Sequence, residues 1–189
     1  MRIRLATPDP DDEPVPEGWL GVGYLVSEGP PRTVLAYDPE RRPHAIVPGR
    51  EPRPVDPAEV NHALVAAVDE AGLALWPGGH TYALPQAFGI ARRTMARDRI
   101  ERNGLPPMVL SALGAAAEGR QPELMGCMLT AIGRFATEGA TEPDEVDRMR
   151  EALQAAEYAA FLLGKVRRNK MLKKMLGPGS ANPFLGNVE

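Results

Sequence analysis

The chain has 189 residues, 43% hydrophobic and 25% charged, with a formal net charge of −3 at pH 7 and one cysteine, Cys127. That balance is ordinary for a globular protein and supplies enough apolar residues for a core. A single cysteine excludes an intramolecular disulfide framework, and no stretch approaches the roughly 18 consecutive apolar residues of a membrane span.

The start, MRIRLATPDPDD, has no positive segment followed by an apolar run. The expected setting is therefore cytoplasmic and reducing, or a virion-like particle into which the chain is assembled. Charge is segregated: 7 basic against 13 acidic residues up to Ala91, and 15 against 12 from Arg92 onward. Such asymmetry suits anionic partners on the basic half, or head-to-tail contact between copies of the chain.

Residues 7–18 hold four prolines and five acids and predict an extended arm, so 1–18 is set apart as an acidic, proline-rich segment. WLGVGYLV at 19–26 alternates with period two, Leu20, Val22, Tyr24 and Val26 on one side, and predicts a strand. TVLAY at 33–37 and HAIV at 44–47, each bounded by turn residues, complete a three-stranded antiparallel meander. A sheet this small needs a helix over one face. Asp56 as N-cap and Pro57 open that helix, with Val60, Ala63, Leu64, Ala67 and Val68 as its stripe and Gly72 as its end. LALW at 73–76 reads as a further short strand before a tight turn, closing a unit at 19–80.

Residues 81–176 read as helical. A segment at 84–102, in one piece or two, stops at Asn103 and Gly104, and Pro106–Pro107 launches the next helix. PELMGCMLTAIGRFAT at 122–137 carries only Glu123 and Arg134 as charges, so burial nearly all round is expected. Gly126, Ala131 and Gly133 would let another helix approach closely. The final helix starts at Thr141 with Asp144 three positions on, a capping-box spacing. Its residues Val146, Met149, Leu153, Ala156, Ala160 and Leu163 step alternately by three and four, an a/d seam too short to define a coiled coil and more commonly used inside a bundle. At Gly164 the register changes, and a bend or a change of partner is expected there. The whole is α+β: a small N-terminal antiparallel β-meander with a covering helix, then a C-terminal helical array and an extended tail at 177–189.

Two surfaces stand out. KVRRNKMLKK contributes Lys165, Arg167, Arg168, Lys170, Lys173 and Lys174 without an acid, a density of charge that suits a protein or nucleoprotein partner, although a helix dipole also favours acids first and bases last. In the tail, Asn182, Pro183, Phe184 and Leu185 form a compact anchor for a neighbouring subunit or for the chain's own core.

Chemistry is poorly provided for. His44, His62 and His80 lack zinc spacing, Gly21 and Gly23 lie in a strand without a following helix and read as a bulge or crowded sheet face, and Cys127 reads as a small core residue. No cofactor or metal is expected, and Trp76–His80 reads as a tight turn.

GIARRTMARDRIERNGLPPMVLSAL, from Gly89 to Leu113, resembles the helix-turn-helix of repressor-like DNA-binding proteins: a Gly-Ile turn, Arg-Arg-Thr opening a recognition helix, then Leu-Pro-Pro and an apolar closing helix. The resemblance implies Arg92, Arg93, Thr94, Arg97 and Arg99 facing a DNA groove. Pro85, where that pattern has a small residue inside its first helix, departs from it. Residue by residue, a solvated amphipathic helix with Phe88, Ala91, Met95 and Ile100 inward accounts for the same segment. The leading expectation is a non-enzymatic structural or assembly subunit of a large complex, virion-like or nucleoprotein in kind, whose partners are protein subunits that include copies of itself, and nucleic acid; the alternative is a DNA-binding regulator.

Overall fold

A computed structural model describes residues 1–9, 15–26 and 32–176, with side chains described as far as Arg167. Five antiparallel strands form one sheet in chain order: β1 (Ile3–Leu5), β2 (Leu20–Leu25), β3 (Thr33–Tyr37), β4 (Pro43–Ile46) and β5 (Arg53–Pro54). The three strands expected from sequence are β2, β3 and β4. The edges are additions: Ile3 pairs with Leu25 and Leu5 with Gly23 on one side, His44 with Pro54 on the other. The segment set apart as an arm thus contributes a strand, and near its other end Val15 packs on the outer face of the sheet with Trp19.

Glycine decides the geometry of β2. The register shifts between Gly21 and Gly23, a bulge as the sequence suggested. At Gly23 φ is +154°, and a Cβ there would run into the carbonyl oxygen of Arg4, so only glycine fits. The bulge also breaks the expected alternation. Val22 and the half-buried Leu25 face the main core, whereas Tyr24 joins Val34, Ala36 and Ile46 on the opposite face.

The covering helix, α1 (Pro57–Leu75), begins where expected: the Ala58 N–H donates to Asp56 Oδ1 at 3.1 Å. It does not stop at Gly72. LALW is its last turn, ended by Trp76, whose N–H donates to the Gly72 carbonyl at 2.8 Å. Gly72 serves packing instead, since a Cβ there would lie 2.7 Å from the His80 ring. The Gly79 N–H closes the tight turn onto the Trp76 carbonyl at 3.0 Å.

Two short helices, α2 (His80–Phe88) and α3 (Arg97–Asn103), flank a 3₁₀ turn at Arg92–Met95, and α4 (Pro107–Ala117) follows the double proline. Val60, Leu64, Val68 and Leu75 of α1 meet Leu35 and Val22 of the sheet and Leu110 and Leu113 of α4 in one core. α4 lies so close to β1 that a Cβ on Gly114 would sit 2.5 Å from the Ala6 nitrogen. Glu118, just beyond, accepts from the Thr7 N–H (2.9 Å) and from Arg4 (3.3 Å), tying the end of β1 to the end of α4.

The chain then runs through α5 (Pro122–Arg134), a π-helical turn (Phe135–Gly139) and α6 (Glu145–Leu176). No helix of the described residues is long and apolar enough to cross a membrane.

Candidate functional site

The sequence implied that α5 is buried nearly all round; the structure reverses this. Only Gly126 and Gly133 are buried within it. Both were singled out as points of close approach, and that is their use: a Cβ on Gly126 would collide with the Leu75 carbonyl, and one on Gly133 would lie 2.6 Å from the Gln86 and Ala87 carbonyls. The indole N–H of Trp76 reinforces the seat, donating to the Gly126 carbonyl (3.0 Å) and Thr130 Oγ1 (2.9 Å). Leu129 packs half-buried on the main core, but most of the other large side chains point away. Leu124, Met128 and Phe135 are exposed, with Ala131 between them at steps of four, three and four.

Cys127, expected in the core, is also exposed. With Ala131, Phe135, Trp76 and Ala83 it lines a shallow, mainly apolar groove of about 790 Å³ between α5 and α2, flanked by Arg134 and Glu138. Those two close the end of the groove with an ion pair of 2.8 Å.

α6 is displaced from the sequence expectation in the same sense. Asp144, not Thr141, caps it: its Oδ1 accepts from the Val146 N–H at 2.8 Å, while the Thr141 N–H donates to Glu151 Oε2 at 2.9 Å. The seam was expected inside a bundle, but Val146, Met149, Leu153, Ala160 and Leu163 are exposed and only Ala156 is half-buried. Ala152 is the residue that faces the body, at 1% exposure, with Arg148, Ala155 and Ala156 half-buried beside it. One residue step on a helix is about 100°, so the small-residue face takes the inner side, sharing Ala156 with the seam, and turns the larger seam residues toward solvent. From Glu157 to Arg167 every side chain is exposed, Gly164 being half-buried. Tyr158, Phe161, Leu162 and Val166 lie in that stretch. The helix is continuous through Gly164, where a bend or a change of partner was expected.

The basic residues divide. Lys165 and Arg167 are exposed, and the Lys165 ammonium stands 4.5 Å over the Phe161 ring. Arg168, Lys170, Lys173 and Lys174 lie on the helix beyond the described side chains, and Asn182, Pro183, Phe184 and Leu185 lie outside the described residues.

The segment resembling a helix-turn-helix has the Gly89 turn, with φ +63° at the end of α2. Pro85 sits inside α2 rather than at its start. Arg92, Arg93 and Thr94 do not open a recognition helix: they form the 3₁₀ turn, which ends at an extended Ala96 (φ −64°, ψ 134°) before the seven residues of α3. Met95 and Ile100 pin the two pieces to the core. Arg92 stacks 3.5 Å over the Tyr82 ring, and Arg97 bonds Glu101 at 3.1 Å. Arg93 and Arg99 are exposed and Thr94 is half-buried.

The histidines are scattered. His44 Nδ1 meets the Arg42 carbonyl at 3.0 Å, His62 lies 3.6 Å from Glu101, and the buried His80 pairs with Asp69 at 3.0 Å. Among the described residues no group of histidine, cysteine and acidic side chains is placed to hold a metal ion. Comparison of the chain with protein-family models, with curated proteins and with solved structures finds no match.

Proposed function

We propose that the chain is a non-enzymatic structural subunit of a large multi-protein assembly, of the phage-virion or nucleoprotein kind, that docks its neighbours through α6 and the segment after it. The observation carrying this reading is the exposed apolar surface of α6: Val146, Leu153, Phe161, Leu163 and Val166 are each half or more accessible in the free chain. Large apolar side chains left exposed along one helix mark a contact site. Lys165 and Arg167 at its end suit an acidic protein surface or nucleic acid.

The alternative, a DNA-binding regulator, draws on the exposure of Arg93 and Arg99. The two readings separate by sedimentation of the complexes that contain the chain in its own cells. As an assembly subunit, the full chain travels in a fast fraction, Leu153→Glu with Leu163→Glu moves it to the slow one, and Arg93→Ala with Arg99→Ala does not. A chain that stays slow, yet binds one duplex at near-physiological salt and loses that binding with the arginine changes, overturns the assembly reading.

A further inference from the structure

A cavity of about 320 Å³ lies where the β3–β4 turn, the starts of α1 and α4 and the end of α3 meet. Four polar side chains line it: Tyr37, Arg41, Asn61 and Asn103. None of the four side chains has a hydrogen-bond or ion-pair partner among the described residues. For the exposed Arg41 and Asn103 water suffices, but Tyr37 is only 7% exposed. Its hydroxyl is not sealed in the core, because Arg148 Nε is the sole buried side-chain polar atom without a partner among the described residues. A hydroxyl on a buried ring, neither bonded nor sealed, opens into the cavity that the side chain lines and is available to a ligand there. We propose that this cavity binds a small oxyanion, a carboxylate or a phosphate. The site stands apart from the use made of α6.

Charge argues for an anion. Arg41 is the only charged residue of the lining, in a half of the chain where acids outnumber bases. The nearby acids along the chain are engaged elsewhere: Asp38 and Glu40 both bind Arg42, at 2.9 and 3.0 Å, and Asp56 accepts from the Ala58 N–H at 3.1 Å. Arg41 takes the left-handed conformation (φ +64°), alone among the described residues other than glycine, and reaches the cavity while Arg42 beside it takes the acids. α4 begins with no side-chain cap and no acid in its first turn, so the partial positive charge of its N-terminus is left uncompensated at the cavity wall. Gly104 leaves room for the Asn61 carboxamide, whose Oδ1 lies 2.7 Å from where a Cβ would stand. Pro57, Pro106 and Pro107 complete the walls and offer no N–H of their own. The volume is near the lower end of the range for small-molecule sites and suits a compact ligand rather than a peptide.

Amide NMR of the full chain, titrated with inorganic phosphate and separately with benzoate at constant ionic strength, tests the site. Saturable shifts are expected at Arg41, Asn61, Asn103 and Met108 with at least one of the two, half-complete at millimolar concentration or below, and the one that binds assigns the head group. Arg41→Gly keeps the left-handed turn while removing the guanidinium, and should weaken binding about tenfold or more. Tyr37→Phe should weaken it about threefold, both variants keeping the parent's spectrum elsewhere. Arg120→Ala removes an exposed arginine beyond the far end of α4 and should bind as the parent does. No saturable shift with either anion overturns the proposal. So does undiminished binding by Arg41→Gly, or a loss in Arg120→Ala as large as that in Arg41→Gly, which would mark attraction by surface charge alone.

Discussion

Residues 1–117 and residues 122–167 are held together by different means. In the first region stability comes from volume: Ile3, Leu35, Leu64, Leu84, Leu110 and Leu113 are fully buried, and no fully buried large side chain among the described residues lies beyond Leu113. In the second the buried apolar residues are Ala136 and Ala152, and attachment rests largely on glycine and alanine meeting backbone, with the Trp76 indole bond and the half-buried Leu129 beside them. Burial by volume consumes the large side chains of the body. Attachment through small residues leaves most of those of α5 and α6 facing outward.

The contrast is broken most forcefully from within the core. Leu110→Ala should cost about 2–5 kcal/mol in urea unfolding, the usual loss for an emptied leucine site. Gly133→Val acts on the second region alone. Its side chain meets the Gln86 and Ala87 carbonyls, and a loss of about 1–3 kcal/mol is expected, read by hydrogen exchange as lost protection in α5 while α1 keeps its own. Comparable loss in α1 would show that the two regions unfold as one.

Acid and alkali should address the body. Burial pushes the Tyr37 phenol up to about 12. Its contribution is whole below the unfolded value of about 10 and is lost as pH rises from there toward 12. Tyr37→Phe should flatten that alkaline slope in a pH series of urea midpoints. For Asp38, burial raises the carboxyl pKa, but the bonds from the Arg42 backbone and side chain, with the Arg42 charge, outweigh it and leave the pKa below its ordinary value. Stability from this group is present above about pH 4 and drains away as pH falls through the lowered value. Asp38→Asn should reduce the acid dependence, with a smaller effect than Tyr37→Phe because Arg42 is largely exposed. Smallest of all, Leu153→Ala should shift stability by less than about 0.5 kcal/mol, because the side chain is half exposed.

Much of the body was readable because its signals are local. Asp56 and Pro57 cap α1, Pro106 and Pro107 introduce α4, and turn residues bound β3 and β4. β1 and β5 escaped because three and two residues carry no periodicity, and LALW misled because a four-residue apolar run does not distinguish strand from helix end. On the candidate surface the spacing of the α6 seam was legible, but not its direction. Periodicity reports that apolar residues share a side, and the choice of which side meets the body falls to Ala152, a residue with no signal of its own. The same reason hid the exposure of α5: Gly126 and Gly133 were legible as points of close approach, yet that approach turns Leu124, Met125 and Met128 outward. Arg-Arg-Thr resembled the opening of a recognition helix in residue type, while the backbone at Ala96 divides the segment.

The groove between α5 and α2 offers a built-in optical gauge. The only thiol of the chain, Cys127, and one of its two tryptophans, Trp76, line the same depression. A thiol-reactive acceptor dye attached there would draw emission from the indole in the resting chain, and anything settling between them would alter that transfer without a tag elsewhere on the molecule.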